Sequence, residues 1–179
     1  METAAGIELA VLSADALAAG EGDLTRLLRE CVNGGASLGY LAPLPDEHAV
    51  RYWRSIAPQI DSGVRLVLVA RDGGRIVGSG QLQFEQKPNG VHRAEVCKLM
   101  VLPSHRRRGI AARLMAELER YARQRAIVLL YLDTSEGRSG ACALYESIGF
   151  TYAGGIPHWA LDPDGTPAAN AIYFKLLRA

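Results

Sequence analysis

The sequence has few cysteines, and their number and spacing exclude two classes of small protein. Cys31, Cys97 and Cys142 are the only cysteines in 179 residues. An odd number argues against a disulfide framework, and neither they nor the scattered histidines have the short spacing of a metal site. We therefore expect free thiols, no bound metal and a reducing, cytoplasmic environment.

Strong charge and long apolar runs are also missing. The formal net charge is +1, so the chain lacks the broad basic face of a general nucleic-acid-binding protein. No apolar run approaches the length of a membrane span. Residues 1–20 are rich in alanine but carry Glu2, Glu8 and Asp15, which argues against a signal peptide. We expect a protein that binds neither nucleic acid nor membrane.

The usual nucleotide-binding motifs are absent as well. The sequence has no Gly-x-x-x-x-Gly-Lys-Ser/Thr segment and no Gly-x-Gly-x-x-Gly segment after a strand. The length and the 49% apolar content are those of one globular domain, which we expect to cover residues 1–179. A monomer and a homodimer both remain open.

What the sequence does contain is a strand, a basic turn and a helix in succession over residues 93–123. The apolar run 96–102 ends at Pro103, as a strand does before a breaker. The turn 104–108 follows, and from Gly109 onward apolar residues recur at a helical period, at Ile110, Leu114, Leu118 and Tyr121. A helix N-terminus offers unpaired N–H groups and a positive dipole, and three arginines precede this one. The combination predicts a site for a phosphate or pyrophosphate.

The rest of the chain predicts a mixed α/β sheet. The predicted elements are a strand at 7–12, a helix from Asp23 to about 31, a helix from Asp46 to about 63, a hairpin at 64–70 and 75–85, a type I turn at 87–90, strands at 126–133 and from 149, a helix at 137–147, an irregular stretch at 154–167 and a closing strand at 171–177. Strands two to four form an antiparallel meander in this scheme. The helix between strands four and five implies that these two run parallel.

Three short motifs resemble the GNAT superfamily of acetyl-coenzyme A-dependent N-acetyltransferases. Arg106-x-x-Gly109-x-Ala111 is similar to the family's pyrophosphate loop, Gln/Arg-x-x-Gly-x-Gly/Ala. Ala141-x-x-x-Tyr145-x-x-x-Gly149-Phe150 resembles its last helix, and Leu99-x-Val101-x-Pro103 the end of its fourth strand. The resemblance covers about residues 64–177, although the Asn that many members carry before the last helix is absent. It implies an α/β GNAT fold: a mixed, mostly antiparallel sheet of about seven strands with about four helices, its central strands four and five parallel and splayed around the cofactor.

The resemblance also implies where acetyl-coenzyme A binds. The backbone of strand four would contact the pantetheine arm, the basic turn would hold the pyrophosphate, and the last helix would lie beside the thioester. The implied cofactor-binding residues are Leu99, Met100, Val101, Arg106, Arg107, Arg108, Gly109, Ile110, Ala111, Ala141 and Tyr145.

Acetyl transfer to an amine requires a base on the acceptor side and an acid beside the sulfur. Tyr145 occupies the place of the family's tyrosine that hydrogen-bonds the sulfur, so the resemblance implies that it is the acid. Glu95 and Asp133, on adjacent parallel strands, are the candidate bases, acting directly or through a water. The alternative for Glu95 is a salt bridge, and for Asp133 a cap before Thr134. A bulge, typical of the family's fourth strand, prevents strand parity from deciding which way Glu95 faces.

The acceptor is predicted to be a primary amine on a small molecule. Segments 33–40, 86–109, 132–134 and 171–175 resemble the tabtoxin-resistance branch of the family, which implies an amino-acid-like toxin such as tabtoxinine-β-lactam. The candidate substrate-binding residues are Asn33, Ser37, Tyr40, Glu95, Asp133 and His158. Four alternatives remain: a protein or peptide N-acetyltransferase, a non-catalytic acyl-coenzyme A sensor, a nucleic-acid contact through Arg106 to Arg108, and a covalent route through Cys97 or Cys142.

Overall fold

The computed structural model describes residues 6–136 and 140–177. In chain order its elements are β1 (Ile7–Val11), α1 (Ala14–Ala19), α2 (Glu21–Asn33), α3 (Asp46–Asp61), β2 (Arg65–Asp72), β3 (Arg75–Phe84), β4 (Arg93–Val101), a 3₁₀ turn (Pro103–His105), α4 (Ile110–Gln124), β5 (Leu129–Ser135), α5 (Ala141–Ser147), β6 (Thr151–Gly154), β7 (Ala160–Leu161), β8 (Pro167–Ala168) and β9 (Asn170–Leu176). None of the helices in these two ranges is long and apolar enough to cross a membrane.

Seven strands form one mixed sheet in the order β1-β2-β3-β4-β5-β9-β6. Strands β1 to β4 are an antiparallel meander, β4 and β5 are parallel, and β9 pairs antiparallel with both β5 and β6. The predicted mixed sheet is confirmed. The closing strand is not at the edge, however, because it lies between β5 and β6. The stretch predicted to be irregular contains the separate ribbon of β7 and β8.

Strands β4 and β5 separate soon after they pair. Their register runs only from Arg93 opposite Leu129 to Glu95 opposite Tyr131. Beyond that point β4 continues alongside β3, whereas β5 continues alongside β9. The predicted splay of these strands is therefore confirmed, and it leaves a gap between the second half of β4 and the end of β5.

The predicted bulge in β4 is present beside this gap. Ser79 pairs with Met100 and Gln81 with Cys97, so two residues of β4 lie opposite Gly80 alone. One of them, Lys98, has a positive φ of 51°. The extra residue bends the strand and reverses the direction of the side chains beyond it.

Helices cover both faces of the meander. An added Cβ at Gly80 would lie 2.9 Å from Cδ1 of Leu118 in α4, whereas the next residue, Gln81, accepts a hydrogen bond from Tyr52 in α3. Because successive strand residues point to opposite faces, α3 and α4 lie on opposite sides of the sheet. The buried apolar residues on both sides form one cluster, which includes Trp53.

Several boundaries differ from those predicted, each for a local reason. The helix α1 was not predicted, and its cap is Ser13, whose hydroxyl accepts from the N–H of Ala16 at 3.1 Å. The next helix starts at Glu21 rather than at Asp23, because the Asp23 carboxylate instead accepts from the N–H of Ile76 at 3.0 Å. The helix predicted over 137–147 is described from its residue 141 onward, and its first residues, 137–139, lie outside the described residues.

Candidate active site

A cavity of about 650 Å³ opens where β4 and β5 separate. Its walls come from six parts of the chain. The lining residues used below are 34–39 from the loop after α2, 95–101 from β4, Arg106, Arg107 and Ala111 from the basic turn and α4, 133–135 from β5, 140, 141, 144 and 145 around α5, and 159–162, 169 and 170 from the region of β7 to β9.

The cavity has a basic end and an acidic end. We define the basic end by residues 99–101, Arg106, Arg107 and Ala111, and the acidic end by Glu95, Asp133 and the lining residues 135, 159–162 and 170. Glu95 and Val101 are six residues apart on one strand, which corresponds to roughly 20 Å at about 3.3 Å per residue. The basic end therefore suits an anionic group, and the acidic end suits a cationic group on a second ligand.

Glu95 is a half-buried carboxylate without a hydrogen bond or ion pair to any residue that the structure describes. The alternative of a salt bridge with a neighbour such as Arg93 is not observed, because Arg93 instead binds Glu85 at 2.9 Å. Burial raises the pKa of Glu95, the charges of Arg65 and Lys98 lower it, and the nearby Asp133 raises it further. A carboxylate in this setting is poised to accept a proton from a ligand.

Asp133 lies inside β5, which continues to Ser135, so the alternative that Asp133 caps a turn is wrong. Its backbone is opposite Ile172 of β9. Its Oδ2 accepts a hydrogen bond from the indole N–H of Trp159 at 3.0 Å. The splayed strands thus bring both predicted carboxylates to the same cavity, but Asp133 is held by a partner and Glu95 is not.

Tyr145 is 7% exposed and lines the cavity from α5. Its ring centroid lies 6.0 Å from that of Phe150 and 5.9 Å from that of Tyr173, so the ring is fixed by aromatic packing. The hydroxyl has no hydrogen bond to any described residue. Burial, with a smaller contribution from Cys142, raises the pKa of Tyr145 above its usual value. The hydroxyl therefore keeps its proton at the cavity wall.

The basic turn presents backbone and charge together. Gly109 has a φ of 77° at the start of α4, and an added Cβ there would meet nothing within 4 Å, so the backbone is open to a ligand. The exposed Arg106 and Arg107 line the cavity beside it, and Ala111 lines it from the first turn of α4. The free N–H groups of a helix start, together with two guanidinium groups, fit the diphosphate of coenzyme A.

Three predicted cofactor residues near this turn, Arg108, Gly109 and Ile110, do not line the cavity. Arg108 Nη1 lies 3.3 Å from Oδ2 of Asp72 and is not among the residues that line the cavity. Ile110 is 1% exposed and belongs to the core.

The second half of β4 supplies an open backbone edge. Met100 and Val101 pair with β3 on one side, but β5 has already turned away on the other. On that side the backbone has no strand partner, although Val101 O accepts from Cys31 Sγ and from Arg106 Nε, each at 3.4 Å. Such an edge fits the pair of amides in a pantetheine arm.

Of the candidate substrate-binding residues, Glu95, Asp133 and Ser37 line the cavity, Ser37 together with the neighbouring residues of its loop. Asn33, Tyr40 and His158 do not line it. Asn33 Oδ1 accepts from the N–H of Leu44 at 2.9 Å, and His158 is exposed with a φ of 55°, whereas its neighbour Trp159 lines the cavity. Ala141, a candidate cofactor-binding residue, also lines it.

Tyr40 belongs to a cluster behind the cavity wall. Its ring centroid lies 6.4 Å from that of Tyr52, and Lys98 Nζ lies over both rings while donating to Leu38 O at 2.8 Å. Burial lowers the pKa of Lys98. This contact fastens the loop 34–39 to the bulge of β4.

The cysteines give no support to covalent catalysis. Cys97 lines the cavity, but burial raises the pKa of its thiol, and its hydrogen-bond donor is the guanidinium of Arg65 at 3.2 Å rather than a histidine. Cys142 is not among the lining residues. Across the described ranges no group of three His, Cys, Asp or Glu side chains is arranged to hold a metal ion.

Sequence reasoning missed three residues of the acidic end. The hydroxyl of Ser135 donates to Oδ1 of Asp162 at 2.8 Å, with both side chains buried. Asn170, at the start of β9, is also buried and lines the cavity. No local motif marks them, since they come together only through pairing of β5 with β9 and folding of the β7–β8 ribbon.

Comparisons with known proteins agree with this geometry. A sequence model described as the acetyltransferase (GNAT) family matches residues 26–150. An N-acetyltransferase encoded in the hisH–hisA intergenic region of Azospirillum brasilense is 32% identical over 116 residues, which cover 64% of this chain and 67% of that protein. N-acetyltransferase 8 of Rattus norvegicus is 36% identical over 87 residues, 48% of this chain, but the match spans only 39% of the rat protein's length.

The fold has solved counterparts as well. The structure of yncA from Salmonella typhimurium, solved with its cofactor acetyl-CoA, superimposes with a TM-score of 0.76, covering 97% of this chain and 95% of the other at 15% identity. The splayed strands, the open β4 edge and the basic turn are the parts of this chain that fit the same cofactor. Since the family model spans most of the sequence, the chain belongs to the GNAT family of acetyl-CoA-dependent N-acetyltransferases.

Proposed function

We propose that this enzyme transfers the acetyl group of acetyl-CoA directly to a primary amine of a small molecule, with Glu95 as base and Tyr145 as acid. The observation that carries the proposal is the pairing of these two groups in one cavity. One is a half-buried carboxylate without a partner among the described residues, and the other is a buried hydroxyl that stays protonated.

Acetyl-CoA supplies an activated acetyl group in the form of a thioester. The role of the basic end is to hold it: Arg106, Arg107 and the first amides of α4 bind the diphosphate, and the open edge of β4 binds the arm. This arrangement directs the acetyl end along β4 toward Glu95.

The acidic end prepares the acceptor. An alkylammonium has a pKa of about 10 and must lose a proton before it can attack. Glu95 and Asp133 attract the ammonium electrostatically, and Glu95 takes the proton, either directly or through a water. The raised pKa of Glu95 makes it a better base than an ordinary glutamate at neutral pH. Asp133, held by Trp159, orients the amine.

Tyr145 completes the proton balance. Its hydroxyl is protonated over the whole physiological pH range because burial raises its pKa. We assign it to the departing sulfur, which is a better leaving group when it gains a proton. The rings of Phe150 and Tyr173 hold the donor in position.

A contact between two segments beside the cavity favours a small acceptor over a peptide. The N–H of Ala42 donates to Pro163 O at 2.8 Å, which joins the segment after the loop 34–39 to the turn between β7 and β8. Residues 34–39 and 159–162 both line the cavity, so this contact ties two of its walls together. Among small amines, the resemblance to the tabtoxin-resistance branch makes tabtoxinine-β-lactam the first to try. We also propose a cytoplasmic location, in keeping with three free thiols.

The test follows release of coenzyme A thiol during incubation with acetyl-CoA and a panel of amines. The panel contains tabtoxinine-β-lactam, polyamines, amino acids, amino amides, aminoglycosides and peptides. We expect turnover of at least one small amine and none of the peptides. Turnover of peptides alone would show that the protein is a peptide acetyltransferase instead. Binding of acetyl-CoA without turnover of any amine would favour the non-catalytic sensor.

Tyr145→Phe tests the assigned acid in the same assay. We expect kcat to fall about 10²-fold or more, the usual contribution of a general acid, while the Kd for acetyl-CoA stays within a factor of about two. Tyr173→Phe is the matched control, because Tyr173 packs against the same ring but donates to Oε1 of Glu146 at 2.9 Å instead of facing the cavity. Equal losses in the two variants would assign Tyr145 a packing role only.

A further inference from the structure

Asn170 has a hydrogen-bond donor that the described residues leave unused. The residue is 3% exposed and lines the acidic end of the cavity. Its Nδ2 is buried and has no hydrogen-bond partner. A buried polar group without a partner is costly, and sites that bind ligands are where such groups recur.

The orientation of the amide is set by its other atom. Asn170 Oδ1 accepts from the N–H of Ile156 at 2.7 Å, while the N–H of Asn170 donates to Ile156 O at 3.3 Å. A flipped amide would put two donors, Nδ2 and the N–H of Ile156, against each other. The NH₂ group is therefore the unused end, and what it needs is an acceptor atom.

The charges nearby decide what kind of acceptor atom fits. Glu95, Asp133 and Asp162 all line this end, so a carboxylate on the substrate would meet repulsion. The two cations that act on Glu95 are already engaged: the Arg65 guanidinium donates to Gln59 and Gln81, and the Lys98 ammonium is directed at Leu38 O and at two aromatic rings. An ammonium is favoured here, and so is an oxygen that carries no charge.

We propose that Asn170 is a substrate-binding residue, and that it selects amines that carry an uncharged oxygen acceptor, such as an amide carbonyl, near the reacting nitrogen. This inference rests on the proposed small-molecule acetyltransferase activity and names the class of its acceptor. The Nδ2–H group donates to the carbonyl oxygen while the ammonium lies between the carboxylates. A plain alkylamine leaves the donor unpaired, and an amino acid brings a carboxylate into the acidic end. The inference therefore ranks tabtoxinine-β-lactam, which is amino-acid-like, below the amino amides in the panel.

The experiment compares three matched series in the thiol-release assay: ω-amino amides of increasing chain length, the corresponding ω-amino acids, and alkylamines of the same length. The quantity measured is the ratio of wild-type to variant kcat/KM for each amine, because the intrinsic basicity of the amine cancels in that ratio. We expect the wild-type enzyme to favour the amino amides over both other series.

Asn170→Asp is the informative variant, since a carboxylate oxygen can still accept from the N–H of Ile156 while the donor is lost. We expect kcat/KM for the best amino amide to fall about 10- to 100-fold relative to the matched alkylamine. The Kd for acetyl-CoA, measured by calorimetry, should be unchanged. Asn89→Asp, in the exposed turn 87–90, is the control for the same chemical change. Asn170→Leu should give the same selectivity loss without added charge.

The outcomes separate this inference from the proposed function. If the enzyme acetylates alkylamines and amino amides equally, and Asn170→Asp changes both equally, the function stands and the role of Asn170 is overturned. If the wild-type enzyme prefers the amino acids, the proposed selection for an uncharged oxygen acceptor is overturned. If no amine in any series is acetylated, the proposed function itself fails, and the acceptor class fails with it.

Discussion

The two ends of the cavity are built in different ways. The basic end comes from one continuous segment, 99–111, and consists largely of backbone: an open strand edge, a glycine with positive φ and the start of a helix. The acidic end comes from β4, β5, the β7–β8 ribbon and β9, and consists of side chains. Backbone groups suit a large ligand of fixed chemistry, whereas side chains can distinguish one amine from another. Cofactor binding and acceptor choice are thus separable in this molecule.

The strongest test of that separation is Glu95→Gln. Removing the base should lower kcat about 10²- to 10⁴-fold while the Kd for acetyl-CoA, set at the other end, stays unchanged. Steady-state kinetics with the best amine, together with calorimetry for the cofactor, measures both. The rate of the wild type should rise with pH as Glu95 ionises, and this limb should disappear in the variant.

Asp133→Asn is the matched control for that prediction. Its carboxylate is already held by Trp159, so its loss should raise KM for the amine more than it lowers kcat. The reverse result, a large fall in kcat for Asp133→Asn and a small one for Glu95→Gln, would make Asp133 the base.

A smaller effect is expected at the basic end. Arg107→Gln should raise the Kd for acetyl-CoA about tenfold or more through the loss of a charge-assisted hydrogen bond, with little change in kcat at saturation. Arg108→Gln is its neighbour and control, since Arg108 is engaged with Asp72. Calorimetry at low and high salt should show a salt-sensitive loss for Arg107 only. An equal loss for Arg108→Gln would mean that its guanidinium leaves Asp72 to bind the cofactor, as the sequence motif implied.

The smallest expected effect concerns stability. Glu95 has a raised pKa in the folded protein, so the folded state holds its proton more tightly than the unfolded state does. The contribution of this group to stability is therefore greatest at acid pH and declines as the pH rises from the ordinary glutamate pKa of 4.5 through the raised pKa of the folded state. Near neutral pH, Glu95→Gln should unfold at a higher urea concentration than the wild type, and the difference should vanish at acid pH.

The exposed Glu136→Gln at the end of β5 is the control for this measurement and should show no such pH-dependent gain. A Glu95→Gln variant less stable than the wild type near neutral pH would show that the ionised carboxylate is stabilised in the fold, contrary to its burial without a partner.

The sequence was informative where structure depends on near neighbours. The strand, turn and helix of 93–123, the meander, and the convergence of Glu95 and Asp133 all follow from periodicity, breakers and chain direction. The helix α1 was missed although Ser13 is a recognisable cap. A more careful search for caps ahead of short alanine-rich segments would have found it.

Residues whose role depends on distant partners were not predictable in the same way. Asp23 resembled a helix cap but binds Ile76, 53 residues away. The loop after α2 was correctly expected near the site, yet Asn33 and Tyr40 turn to Leu44 and Tyr52 instead. The partner of each of these side chains depends on which residues the tertiary fold brings near it. Short-range sequence patterns contain no information about that.

The place of β9 in the sheet has a consequence for how the molecule forms. It follows every other strand of the described residues, yet it separates β5 from β6, which both precede it. The meander β1 to β4 contains mostly local pairings and can form while the chain is still being synthesised, but β6 has no sheet neighbour until residues 170–176 arrive. We therefore expect a late folding step in which β9 inserts between β5 and β6. Because Asn170 begins that strand, the donor proposed to select the acceptor would reach the cavity only in this late step.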